Sequence, residues 1–267
     1  MLLTIKPTTF IARTLRLARV ALHLLSAVAI VALVFPFSNS ARRAHVVRRW
    51  SARLLDTLAV RMEFVGTPPA ATIPAMIVSN HVSWLDIFAI NAVRAVRFVG
   101  KSDIRRWPVA GWVCERGGTL FIDRTRPHQI ARINRQVAAA LRAGDTFAVF
   151  PEGVTTAGNV LLPFHSALLQ PALACDARLY PVAIRYTRAD GSLCSEADYE
   201  GEKSLVDTLK LMVTQPVINV RLEFLAPLAC GAKDRRELAQ NVAAAIARAL
   251  NLPVPRSRAE TAAGRRA

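Results

Sequence analysis

From Ala75 onward, short apolar runs of strand length alternate with longer runs of helix length. The pattern predicts strands at 75–79, 95–100, 119–122, 145–150, 178–184 and 218–225. It predicts helices at 84–93, 127–142, 164–175, 203–213 and 233–250. Strand and helix in turn imply crossover connections, and hence an α/β domain around a sheet that is at least partly parallel. In such sheets ligands sit outside the carboxyl ends of the strands. The turns after the apolar runs are therefore where chemistry is expected.

Four turns carry it. In Asn80–Asp86 (N-H-V-S-W-L-D), His81 sits where the run Ala75–Ser79 ends and an apolar helix begins. If Asp86 lies in the first turns of that helix, its carboxylate can fold back onto the imidazole as the orienter of a base. The alternative is a carboxylate that only complements the helix dipole. In Gly117–Arg124, a short strand delivers Asp123 and Arg124 to a loop, where Arg124 suits a bidentate phosphate contact or a surface ion pair. Lys101, after the run 95–100, is either another anion contact or a solvated loop lysine. In Phe150–Thr156, Pro151 forces the chain out of regular pairing and Gly153 permits a tight turn with exposed N–H groups. Glu152 there either meets a substrate hydroxyl, holds Arg124, or caps nearby backbone. The fourth, Tyr180-Pro-Val-Ala-Ile184, reads as a short core strand with proline at its start.

The first 66 residues have a different character. Val20–Phe37 is apolar except for His23 and Ser26, about the length of a transmembrane helix. Lys6, Arg13, Arg16 and Arg19 precede it; Arg42, Arg43, Arg48, Arg49 and Arg53 follow. No small-residue cleavage site follows, so the run reads as an uncleaved anchor. Basic residues on both flanks give no single-span orientation and suit one anionic leaflet better. His45–Val65, with Leu54, Leu55, Leu58 and Met62 at helical spacing, reads either as an interfacial amphipathic helix or as a core helix. The Pro-rich 67–72 marks a boundary. The expected organisation is anchoring helices over 1–66, a catalytic domain over 67–252, and a basic, disordered tail over 253–267.

The formal charge of +16 suits a polyanionic partner, nucleic acid or an anionic lipid surface. The apolar N-terminus favours lipid. Cys114, Cys175, Cys194 and Cys230 are widely spaced, without the pattern of a zinc site or a disulfide framework.

Together, N80-H-V-S-W-L-D86, G118-T-L-F-I-D-R124, F150-P-E-G-V-T-T156 and Y180-P-V-A-I184 resemble, in order and spacing, the blocks of the 1-acylglycerol-3-phosphate O-acyltransferase family. The similarity spans roughly residues 70–225. It implies a glycerolipid acyltransferase-like fold: a central mostly parallel sheet flanked by helices and preceded by membrane-associated helices. It implies catalysis by His81 as general base with Asp86 as orienter, and substrate binding through Arg124, Glu152, Gly153 and Lys101. A fatty acyl chain would pass from acyl-CoA or acyl-carrier protein to a lysolipid hydroxyl, with no metal or bound cofactor. The acceptor expected is 1-acylglycerol-3-phosphate, giving phosphatidic acid; lyso-ornithine lipid or another lysolipid is the alternative. The place implied is the cytoplasmic face of the inner or plasma membrane. Two departures bear on the acceptor and donor. Thr155 stands where the family often has Arg, which removes one phosphate contact, and His165 stands where Lys is often seen.

Two other readings compete. A hydrolase built on Ser83, His81 and Asp86 lacks a G-x-S-x-G elbow, and Ser83 is only two residues from His81. A non-catalytic nucleic-acid module explains the charge but neither the apolar N-terminus nor the four blocks.

Overall fold

A computed structural model describes residues 8–70, 73–123, 127–201, 203–231 and 234–256. In chain order they form α1 (Phe10–Ala29), α2 (Ser40–Thr57), β1 (Val60–Gly66), β2 (Ala75–Ser79), α3 (Asp86–Val93), β3 (Arg97–Lys101), α4 (Ala110–Arg116), β4 (Leu120–Ile122), α5 (Pro127–Arg142), β5 (Thr146–Val149), α6 (Gln170–Cys175), β6 (Arg178–Arg188), α7 (Leu205–Met212), β7 (Ile218–Phe224) and α8 (Arg235–Leu250).

The strands make one seven-stranded sheet in the order β1-β7-β6-β2-β5-β3-β4. All neighbours are parallel except β6 and β7. The α/β architecture expected from the alternation is therefore present, and its sheet is mostly parallel, as the resemblance implied. β2 is buried at every position, as a central strand covered on both faces must be. Its side chains alternate between two cores. Ala75 and Ile77 pack with α2 and α3 residues such as Leu54, Leu55 and Ile90. Met76 and Val78 pack with α5 and α8 residues such as Val137 and Val242.

The carboxyl ends of β2, β3, β4 and β5 share one edge of the sheet, which gathers the turns after Ser79, Lys101, Ile122 and Val149. β6 is longer than expected. Ser79 pairs with Val182, so β6 runs six residues past the end of β2 while still paired with β7. Pro181 is not at its start. It pairs with Val78 of β2, and its carbonyl accepts from Leu225 N at 3.0 Å, just before the regular pairing with β7 begins at Val182.

The helix expected to continue to Val65 ends at Thr57. Leu54, Leu55 and Leu58 are buried against the sheet, so the inner face of α2 is a core face, while Arg42, Arg49 and Arg53 point outward. Ala59 then turns the chain at φ +56°, and Val60–Gly66 runs as the edge strand along β7. Residues 60–66 thus belong to the sheet and not to the anchoring helices.

At the N-terminus α1 continues through a π-helical stretch, Ile30–Val34, and a 3-10 turn, Phe35–Phe37. The resulting rod, Phe10–Phe37, is 28 residues long and apolar enough to cross a membrane, with mean hydropathy 2.4 in its most apolar window. Its start is tied to the body by Thr8 Oγ1 donating to Val213 O (2.7 Å) and Arg16 Nη1 donating to Gln215 O (2.8 Å). The two polar residues of the apolar run both meet α2. His23 stacks on Trp50 and contacts its carbonyl at 3.0 Å, and Trp50 Nε1 donates to Ser26 Oγ at 3.0 Å.

Candidate active site

His81 follows β2 by two residues, and Asp86 opens α3. The backbone between them wraps around the carboxylate. Asp86 Oδ2 accepts from His81 Nδ1 at 2.7 Å, from Val82 N at 2.8 Å and from Ser83 N at 3.0 Å. Asp86 Oδ1 accepts from the Tyr186 hydroxyl at 2.9 Å. Asp86 is fully buried and each of its partners is a donor, so the proton of the neutral imidazole sits on Nδ1. Nε2 keeps its lone pair and has no hydrogen-bond partner among the described residues. The His81 side chain is 20% exposed, enough to meet a reactant. Its ring stacks on Phe150, with centroids 4.0 Å apart and planes 9° from parallel, which fixes the ring plane from the β5 side.

The rest of the turn is held as firmly. Asn80 bonds both backbone groups of Ile184, donating to its carbonyl at 2.9 Å and accepting its N–H at 2.8 Å. Ser79 Oγ donates to Val182 O at 2.8 Å. These contacts explain the first residue of the N-H-x-S-x-x-D block: its amide side chain locks the turn to β6. Ser83 Oγ is buried with no hydrogen-bond partner among the described residues, so it forms no serine–histidine pair.

Glu152 lies under this turn. Its Oε1 accepts from His81 N at 2.7 Å and its Oε2 from Leu162 N at 2.9 Å, and the residue is buried. Of the alternatives open from sequence, the structure places the carboxylate on backbone N–H groups. Burial pushes the Glu152 carboxyl up to about 7; the Leu162 and His81 N–H groups pull it down, and the Asp86 charge raises it. Gly153 has φ +88°, and its N–H closes the turn onto Phe150 O at 3.2 Å.

Thr155, which stands where an arginine is common in the resembled blocks, turns its hydroxyl inward to the Tyr199 carbonyl. Tyr199 N in turn donates to Val82 O at 2.9 Å, and Thr156 N to His81 O at 2.9 Å. The Pro-Glu-Gly loop and the segment around Tyr199 thereby clamp the histidine turn. Lys101 ends β3 on the same edge as His81; it is exposed and paired with Asp103 at 2.7 Å. Arg124 lies outside the described residues. Sequence reasoning missed Tyr186, which is 100 residues from Asp86 along the chain. The only signal for it was a tyrosine two positions beyond the fourth block.

The arrangement supplies a histidine base with an outward lone pair, an oriented carboxylate behind it, and a second carboxylate holding its backbone. Residues 61–185 match the family model described as Acyltransferase. The chain is 36% identical over 208 residues to the lyso-ornithine lipid O-acyltransferase of Pseudomonas aeruginosa, covering 78% of this chain and 79% of that one. It is 35% identical over 195 residues to the 1-acyl-sn-glycerol-3-phosphate acyltransferase of Neisseria meningitidis serogroup B, covering 72% and 76%. In fold it resembles the crystal structure of the 1-acyl-sn-glycerophosphate (LPA) acyltransferase, PlsC, from Thermotoga maritima. The TM-score is 0.65 at 19% identity, over 90% of this chain and 96% of that one.

Proposed function

This chain belongs to the acyltransferase family, and from that premise we propose that it is a membrane-bound enzyme that moves a fatty acyl chain from acyl-CoA or acyl-carrier protein to the free hydroxyl of a lysolipid. The observation that carries this reading is the 2.7 Å bond from His81 Nδ1 to Asp86, which leaves Nε2 free to act. Nε2 takes the proton of the acceptor hydroxyl as its oxygen attacks the thioester carbonyl. Asp86 stabilises the imidazolium. The tetrahedral intermediate collapses, and the proton passes from His81 to the departing thiolate. A positioned base contributes about 10²–10⁴-fold to such a step. No resident metal or cofactor enters the scheme. Arg124 and Lys101 are the proposed anion contacts, for the acceptor head group or the donor phosphates; Glu152 and Gly153 shape the turn after β5.

Membrane association is supported by the apolar rod Phe10–Phe37 and by Arg19, Arg49 and Arg53, which line the groove between α1 and α2. With arginines on both sides of the rod, the helices suit the anionic leaflet on the cytoplasmic side of the inner or plasma membrane.

The acceptor proposed is 1-acylglycerol-3-phosphate. Thr155 favours a second reading, lyso-ornithine lipid, because its hydroxyl is spent on Tyr199 where an arginine would offer a cation. The P. aeruginosa relative carries that name. The test is acyl transfer by membranes containing the protein, with labelled donors on both carriers, a panel of lysolipids, and wild type beside His81→Ala. Esterification of one acceptor, lost by at least a hundredfold in the variant, is expected. Transfer that survives His81→Ala would remove the base from the mechanism.

A further inference from the structure

We propose that Tyr186 is a positioning residue for the His81–Asp86 pair: its hydroxyl, 2.9 Å from Asp86 Oδ1, fixes which carboxylate oxygen faces the imidazole and how much of its charge the imidazole feels. The inference rests on the reading of His81 as the base.

Three observations carry it. First, Asp86 Oδ2 already has three donors, while Tyr186 is the hydrogen-bond partner of Oδ1 among the described residues. Without that donor, a fully buried carboxylate oxygen would be left unpaired, and Oδ2, still held by its three donors, would carry more of the charge toward Nδ1. Second, Tyr186 is itself 2% exposed and sits on the part of β6 that runs beyond β2, braced by its pairing with Val220 of β7. The strand extension exists where the site needs a donor. Third, the phenol is a fixed donor. Burial and the Asp86 charge push its ionisation far above the working range, so it stays protonated whatever His81 does.

The titratable groups around the pair are Glu152, from the loop after β5, and Cys194, which faces Tyr186. Glu152 reaches the backbone of His81, and Cys194 Sγ is engaged with Glu196. Neither supplies a hydrogen bond to Oδ1. Removing the phenolic donor concentrates the carboxylate charge on Oδ2 and so favours the protonated imidazole. The base is active when neutral, so the acidic limb of the rate profile moves to higher pH.

The experiment compares wild type, Tyr186→Phe and His81→Ala in detergent micelles. It reads kcat, KM and the NMR titration of the His81 imidazole, assigned by its absence from His81→Ala. Tyr186→Phe is expected to lower kcat about tenfold or more with KM within about twofold. Its His81 midpoint is expected to rise relative to wild type. A folded Tyr186→Phe with wild-type kcat and an unmoved midpoint would overturn the inference while His81→Ala remained inactive. Activity in His81→Ala would instead overturn the base reading itself. Should Tyr186→Phe not fold, wild type carrying 3-fluorotyrosine at its three tyrosines serves. The Tyr186 fluorine signal must then titrate with the His81 midpoint; a signal flat across it sinks the proposal.

Discussion

Asp86 and Glu152 are two buried carboxylates on opposite sides of one turn, and their partners divide the work between them. Asp86 holds the imidazole; Glu152 holds the backbone that carries it. Both Glu152 oxygens accept from N–H groups, so Glu152→Gln turns one acceptor into a donor facing a donor. Either the His81 or the Leu162 backbone must then move, and displacements of this kind beside a reacting group cost roughly 10²-fold in rate. We expect Glu152→Gln to lose about 10–100-fold in kcat, read in the acyl-transfer assay. Its pH signature has a definite sign. Glu152 titrates near 4.5 in the unfolded chain and at about 7 when folded, so the folded state holds the proton more tightly between those values. The stability this gives is fully present below 4.5 and is lost as pH rises through about 7, on the order of 3 kcal/mol in all. Denaturation of wild type and Glu152→Gln side by side should show the gap between them shrinking across that window. His81 and Asp86 were legible because they lie in one turn, five residues apart. For Glu152 the sequence left backbone capping open among three roles, but which N–H groups it caps was not legible, because a side chain that satisfies distant backbone leaves no pattern in its own neighbourhood.

Among the elements, the strands with two buried faces were the readable ones. β2 and β5 are continuous apolar runs, and the helix expected at 127–142 is α5 to the residue. β1 was hidden for the converse reason. Arg61, Glu63, Phe64 and Val65 are all exposed, so the strand shows no alternation and its leucine-spaced neighbour α2 masks its start. α4 was hidden by its shortness and its opening Ala-Gly. Only pairing with β7 makes β1 a strand, and Gly66 closes that pairing. At φ +84°, an added Cβ on Gly66 would lie 2.0 Å from Phe224 O. Gly66→Ala must therefore push the edge strand off β7. We expect a loss of about 3 kcal/mol from strain and broken pairing, seen as a fall in Tm on the order of 10 °C. A variant that melts with wild type would mean that β1 adds nothing to the body of the fold.

At the scale of the molecule, charge and apolar surface are set at the same end. Phe10, Leu22, Leu25, Leu33 and Phe37 each leave more than half of their surface uncovered, while Val20 and Leu17 pack on the sheet domain. The rod therefore has one face for the protein and one for an apolar medium. α2 returns beside it, carrying outward arginines, and packs in turn on α3, whose first residue is Asp86. Trp50 of α2 and Trp84 of the histidine turn both contact Phe88. This chain of contacts links the site to α1 and α2, so that on the proposed membrane-bound reading a lysolipid need not leave the membrane to meet His81. On the proposed reading two forces hold the protein on the membrane, and they separate with salt. Coulomb attraction to anionic head groups weakens as the screening length falls from about 10 Å at 0.1 M salt to about 3 Å at 1 M, while burial of the apolar face does not. Sedimentation with vesicles should show stronger binding to anionic than to neutral phospholipid at low salt. That difference should vanish at 1 M salt and leave a residual, composition-independent binding. Replacing Arg42, Arg48, Arg49 and Arg53 by Gln removes four charges worth about 1 kcal/mol each at such a surface, and should cost 100-fold or more in the anionic preference. The same variant should keep the high-salt binding, because the apolar face is untouched. Equal binding to both lipids at low salt would mean that the arginines of α2 face something other than the membrane.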